Sequence, residues 1–179
     1  MYGLTALCIE KLHDVGIEIF FGPNEPVRAG ECIDRNLLHS AALQPFQSTF
    51  GHDAYPAIYD KAACLFFSIA GGHIFTNGNK RTSVLALLNF LLANEILLVL
   101  SNEEMVDLTR SAAAYRSTGN TAKEMMCILS QKIKEGSIAF SELSRSNHET
   151  VIDWTRIMHD LRNAGTILER SVLEQQGSR

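Results

Sequence analysis

The chain has 179 residues, with 16 Lys and Arg against 20 Asp and Glu, a formal charge of −4, a 46% hydrophobic fraction and 4 Pro. Those values describe one globular domain with enough apolar material to close a core. They exclude a general polyanion binder, because the mild acidic balance offers no chain-wide attraction for nucleic acid or an anionic membrane, and the basic residues form no run longer than two.

Apolar residues recur at three- and four-residue spacing through Leu4, Leu7, Ile9 and Leu12, and again through Ile33, Leu37, Leu38, Ala41 and Ala42, which predicts two amphipathic helices. Gly22, Pro23 and Pro26 mark the loop between them. A second loop, over 44–56, holds Pro45, Phe46, Phe50, Gly51, Tyr55 and Pro56. A third helix is expected over 57–70, closed by Gly71-Gly72 in the left-handed conformation that ends many helices. A fourth should run over 79–94. A fifth is expected over 102–115, with Glu103 and Glu104 in its first turn, and a sixth over 121–134, with Lys132 and Lys134 in its last. Only 96–100 reads as extended. Residues 136–150, rich in serine, read as a linker to a last helix. In that helix Val151, Trp154, Met158, Leu161, Leu168 and Val172 fall on a three-four spacing with Gly165 in the gap. It either docks on its own domain or carries a dimer or partner contact. The expected organisation is a helical domain over 1–140 followed by a linker and C-terminal helix over 141–179.

The longest apolar stretch, 84–93, is interrupted by Asn89 and stopped by Asn94 and Glu95, well short of the roughly 20 residues that cross a bilayer. The N-terminal segment carries Glu10, Lys11, His13 and Asp14 where a secretory signal would be apolar. The cytosol is the expected compartment, and neither membrane nor nucleic acid is an expected partner. Cys8, Cys32, Cys64 and Cys127 form no C-x-x-C pair and read as reduced core thiols.

Between Ala62 and Asn94 the only formally charged residues are Lys80 and Arg81. The fourth helix is apolar on all sides, so it should be the central buried helix, with both cations in a first turn close to the core. Helix N–H groups and the macrodipole disfavour cations there unless something negative joins them. That partner is either a remote carboxylate or an anionic ligand. The preceding Asn77-Gly78-Asn79 favours the ligand, because small polar residues able to take positive φ let backbone N–H groups converge on an anion. His73, at the other end of the loop, can accept a proton near neutral pH. A base facing an anion nest points to transfer of a phosphate-containing group to a hydroxyl.

The segment 73–82, His-Ile-Phe-Thr-Asn-Gly-Asn-Lys-Arg-Thr, resembles the signature of the Fic/Doc family, H-x-F-x-[D/E]-[G/A]-N-[G/K]-R, in its death-on-curing (Doc) branch. Leu37-Leu38-His39-Ser40-Ala41, Tyr55-Pro56 and Lys61-Ala62-Ala63 extend the likeness over roughly residues 4–135. The resemblance implies an all-α, Fic-type bundle that uses ATP and Mg²⁺, with a flap near residues 46–55 whose Phe46, Phe50 and Tyr55 hold a segment of the target protein. It makes His73 the catalytic base and Phe75 a core anchor of the loop. Gly78 and Asn79 become the anion nest, and Lys80 and Arg81 the phosphate-binding cations. For the Doc branch it implies a toxin that phosphorylates a translation factor, elongation factor Tu, and is held by an antitoxin; other Fic relatives transfer AMP.

Two positions depart from the pattern. Asn77 takes the slot of the carboxylate that binds Mg²⁺, and an amide oxygen is a weaker ligand for a hard dication. Val84 stands where AMP-transferring relatives carry a further Arg, which, with Lys80 in place of their Gly, inclines the reading to a kinase-type toxin. An AMP transferase, a non-catalytic nucleotide- or protein-binding relative and a purely structural helical domain are the alternatives. No [S/T]-x-x-x-E-[G/N] string of self-inhibited relatives is present, so a separate antitoxin protein is the expected partner besides the substrate protein.

Overall fold

The computed structural model describes residues 1–20, 34–143 and 167–169. Among them are seven α-helices and three small two-stranded antiparallel ladders, so the fold is the all-α bundle the sequence implies. In chain order the elements are β1 (Tyr2–Leu4), α1 (Ala6–Phe20), α2 (Arg35–Leu43), a 3₁₀ turn (Gln44–Phe46), β2 (Ser48–Thr49) and β3 (His52–Asp53). Then follow α3 (Ile58–Gly71), α4 (Asn79–Ala93), β4 (Ile96–Leu98), α5 (Asn102–Ala113), a second 3₁₀ turn (Tyr115–Thr118), α6 (Ala122–Glu135), β5 (Ser137–Ala139), α7 (Phe140–Leu143) and β6 (Ile167–Glu169).

Three helices, α2, α5 and α6, begin where side chains satisfy their first N–H groups. Asp34 accepts from the N–H groups of Asn36 and Leu37 at the head of α2. Ser101 with Glu104, and Thr121 with Glu124, form reciprocal capping boxes for α5 and α6. Hydrogen bonds from those caps hold both glutamates below the usual carboxylate range.

The core lies between α3 and α4, with α1 on the outer side of α4 and α5 and α6 against α3. Leu65, Phe66, Ile69, Leu87, Phe90 and Leu91 are fully buried there. Each such side chain contributes about 1.5–3 kcal/mol on leaving water. No helix among the described residues is long and apolar enough to cross a membrane.

The structure corrects several expectations. Leu4 belongs to a strand, not to the first helix. Part of the expected linker, Ser137–Ala139, is β5, which pairs with β4 in register Ile96↔Ala139, and α7 follows it directly. Residues Ile167–Glu169 pair with β1 in register Gly3↔Leu168, so Leu168 sits in a strand and not in a helix. The other positions of the predicted tail helix, like Ile33, Cys32 and the 22–26 loop, lie outside the described residues. Cys8 and Cys64 are buried as expected, and burial pushes both thiols up to about 11, but Cys127 is exposed.

Candidate active site

The loop from α3 to α4 begins with an unusual exchange. Gly72 keeps a right-handed backbone at φ −84°, contrary to the left-handed stop expected of it, and the left-handed position falls on His73 at φ 50°. Gly72 is required for space instead, because a Cβ there would run into the carbonyl oxygen of Ser68. A non-glycine residue in this region costs about 1–3 kcal/mol, and such positions cluster at functional sites. The consequence is an exposed imidazole at the rim of a cavity of about 580 Å³.

The far side of that cavity is the start of α4. Gly78, at φ 76°, is the N-cap and has no side chain to occupy the first-turn N–H groups. Those N–H groups carry the positive end of the macrodipole. Asn79 lines the cavity, but its amide is engaged with the loop. Its Oδ1 accepts from the Phe75 N–H at 2.9 Å and its Nδ2 donates to the Phe75 carbonyl at 2.7 Å, stapling the loop to the helix start. Phe75 is buried at 1% exposure, as the anchor role requires.

Lys80 and Arg81 are exposed and line the cavity, so the expectation of a buried pair is corrected. The helix is not covered on all sides. Its buried face starts one residue later, at Thr82 and Ser83, while Lys80, Arg81, Val84, Leu85 and Leu88 form a stripe open to a second, apolar groove of about 480 Å³ against α5. Arg110, in the last turn of α5, lines both spaces and completes a set of three cations. No sequence motif marked it.

Asn77 is exposed, and its Oδ1 accepts from the Gly78 N–H at 2.7 Å. Among the described residues, none that lines the cavity is Asp or Glu, and there is no cluster of three or more metal-ligating side chains. A Mg²⁺ held by protein carboxylates is therefore not a group these residues fit.

The 47–55 segment forms the expected flap as a two-pair hairpin, Ser48↔Asp53 and Thr49↔His52. Phe50, at φ 51°, projects from its tip at 98% exposure. Phe46 instead is buried in the core, its ring 6.4 Å from that of Phe90, and Tyr55 is half-buried against Cys64 and Gln44, where burial pushes its hydroxyl up to about 12. Only Phe50 of the three is presented outward, and none of them lines the His73 cavity. The hairpin is tied down by Lys61, fully buried on α3, whose Nζ donates to the Pro45 carbonyl at 3.0 Å and to the Asp53 carboxylate at 3.2 Å.

One residue bearing on the loop escaped the sequence reading. His13 of α1 is 1% exposed, stacks face to face on Phe75 with centroids 3.8 Å apart, and bonds through Nδ1 with the Thr82 hydroxyl at 2.9 Å. Desolvation lowers its pKa from 6.5, against the smaller opposing pull of Asp14 and Glu10. The unfolded chain therefore takes up this proton before the folded one does. Stability is full above about pH 6.5 and falls as the pH drops below it, by at most about 1.4 kcal/mol per unit. His13→Gln should flatten that slope, measured as urea midpoints between pH 7.5 and 5; an unchanged slope would remove His13 as its source.

A family model described as Fic/DOC family matches residues 4–91, a span that contains α1, the hairpin, the His73 loop and most of α4. Toxin Doc of Mycolicibacterium smegmatis (strain ATCC 700084 / mc(2)155) is 41% identical over 78 residues, 44% of this chain and 56% of that relative. The part aligned with that relative thus spans little more than half of its length. Over residues 4–91, just under half of the chain, the sequence matches the Fic/DOC family. The loop 73–82 within the matched stretch is the one built around the His73 cavity, and the elements from β4 onward lie beyond it.

Proposed function

We propose that this chain is a Doc-like toxin that transfers the γ-phosphate of ATP to a Ser or Thr hydroxyl of a translation-associated protein, elongation factor Tu being the candidate. The observation that carries this reading is the position of His73 on the rim of the same cavity as the uncapped α4 N-terminus, Lys80 and Arg81. The donor's phosphates lie against the first-turn N–H groups and the cations, where negative charge is favoured. The apolar groove beyond them has Val84 and no cation at that step of α4, so it suits the nucleoside half better than further phosphate. That orientation leaves the γ-phosphorus nearest His73. The imidazole accepts the proton of the target hydroxyl, the hydroxyl oxygen bonds to the γ-phosphorus, and the bond to the β–γ bridging oxygen breaks, releasing ADP with the electron pair. Phe50 offers an apolar tip to the target segment. The protein works in the cytoplasm under a separate antitoxin, whose acidic or apolar segment covers the groove.

Intact mass spectrometry of a target incubated with ATP tests the chemistry. A single added phosphoryl group is expected. An added AMP would replace this reading with the AMP-transferring one, and no adduct with either wild type or Asn77→Asp would leave a non-catalytic binder. ATP should also raise the melting temperature. Arg81→Ala should weaken ATP binding about 10- to 100-fold, a larger effect than its effect on the stability of the apo protein.

A further inference from the structure

Resting on the reading of the same cavity, we infer that this site takes a polyphosphate as the metal-free anion, its charge met by Lys80, Arg81 and Arg110 of this chain instead of by a divalent metal. Two observations converge. The slot for a metal-binding carboxylate holds Asn77, whose amide oxygen already accepts the Gly78 N–H at 2.7 Å, and no carboxylate among the described residues lines the cavity. In the same space a third cation enters from a different element, Arg110 on α5.

The two features act with the same sign. An amide at position 77 in place of a carboxylate and a guanidinium reaching in from α5 both make the cavity more positive, which favours a free triphosphate over one whose charge a metal has partly cancelled. Arg110 is placed for this. It sits in the last turn of α5, where the helix dipole favours a cation. Its Nη1 donates to the Asp107 carboxylate at 3.1 Å, an exposed pair worth little in itself. A guanidinium has five N–H donors, so this bond orients the side chain and leaves donors for phosphate oxygens.

Isothermal titration of the full chain with ATP in EDTA, ATP with Mg²⁺ and inorganic tripolyphosphate in EDTA tests the inference. ATP should bind at least as tightly in EDTA as with Mg²⁺. Arg110→Ala should weaken EDTA binding about 10- to 100-fold, Arg110→Lys should retain part of it, and neither should move the apo melting temperature. Asn77→Asp should reverse the order, so that Mg²⁺ becomes necessary. ATP binding only with Mg²⁺, or unaffected by Arg110→Ala, would overturn the inference while leaving the proposed transfer standing. Tripolyphosphate bound in EDTA without ATP binding would uphold the anion site and remove the nucleotide reading. Binding of neither would remove both.

Discussion

His73→Asn should lower phosphoryl transfer by about 10²–10⁴-fold, the usual loss when a general base is removed, with ATP binding and melting temperature close to wild type. Asparagine is the informative replacement because of where His73 sits. At φ 50° a β-carbon is strained, and asparagine tolerates that region better than alanine. His73→Asn thus keeps the loop conformation and a polar side chain but removes the group able to take a proton. His73→Ala should show the same loss of transfer, with a small added loss of stability from the backbone. Near-normal transfer by His73→Asn would take the imidazole out of the chemistry, whatever the alanine variant did.

Lys61→Met should destabilise the fold by about 3 kcal/mol, because it removes the ammonium of an ion pair anchored by a fully buried side chain. Asp53 is 19% exposed and keeps a further interaction, which places the loss at the lower end of the range for breaking such a pair. The Pro45 carbonyl also loses its donor, and the Phe46 ring loses the ammonium held 5.4 Å from its centre. In a chain of this size the melting midpoint should fall on the order of 10 °C. Because Lys61 joins α3 to the hairpin carrying Phe50, proteolytic cutting within 47–55 should rise before global unfolding. Asp53→Asn in the Lys61→Met background should recover part of the loss, since the carboxylate that has lost its ammonium is then neutral. A double variant no more stable than the single one would show that the cost lies in packing.

The helices could be read from the chain because their causes are local. The three-four spacing, the acidic first turn of α5, the basic last turn of α6 and the glycines around α3 and α4 place those boundaries to within a residue or two. The loop itself was legible for the same reason, its chemistry being packed into ten consecutive residues. What escaped depends on partners far along the chain. Three-residue strands have no periodicity of their own, and β1 and β5 exist because β6 and β4 lie beside them. His13 meets Thr82 across 69 positions, and Arg110 reaches the cavity only because α5 packs beside α4. The exposure of Lys80 and Arg81 was misjudged because residue type alone cannot show that the α4 stripe through Val84 and Leu88 faces a groove.

The pairing of β1 carries a consequence for any shortened version of the chain. Asn94, at the end of α4, treats Tyr2 as a neighbouring strand would, accepting from its N–H at 2.8 Å and donating to its carbonyl at 2.9 Å, while Gly3 and its flanking residues are matched to 167–169. The first strand is therefore held between an amide side chain and a segment from the opposite end of the sequence, in the manner of a zip closed by its last tooth. Cutting before residue 167 does not trim an appendage; it bares a strand edge at the start of the chain, and bare edges recruit other strands. A truncated chain can then lose activity by self-association alone, so any assay of it has to be compared with a full-length chain in which Leu168→Pro breaks the same ladder.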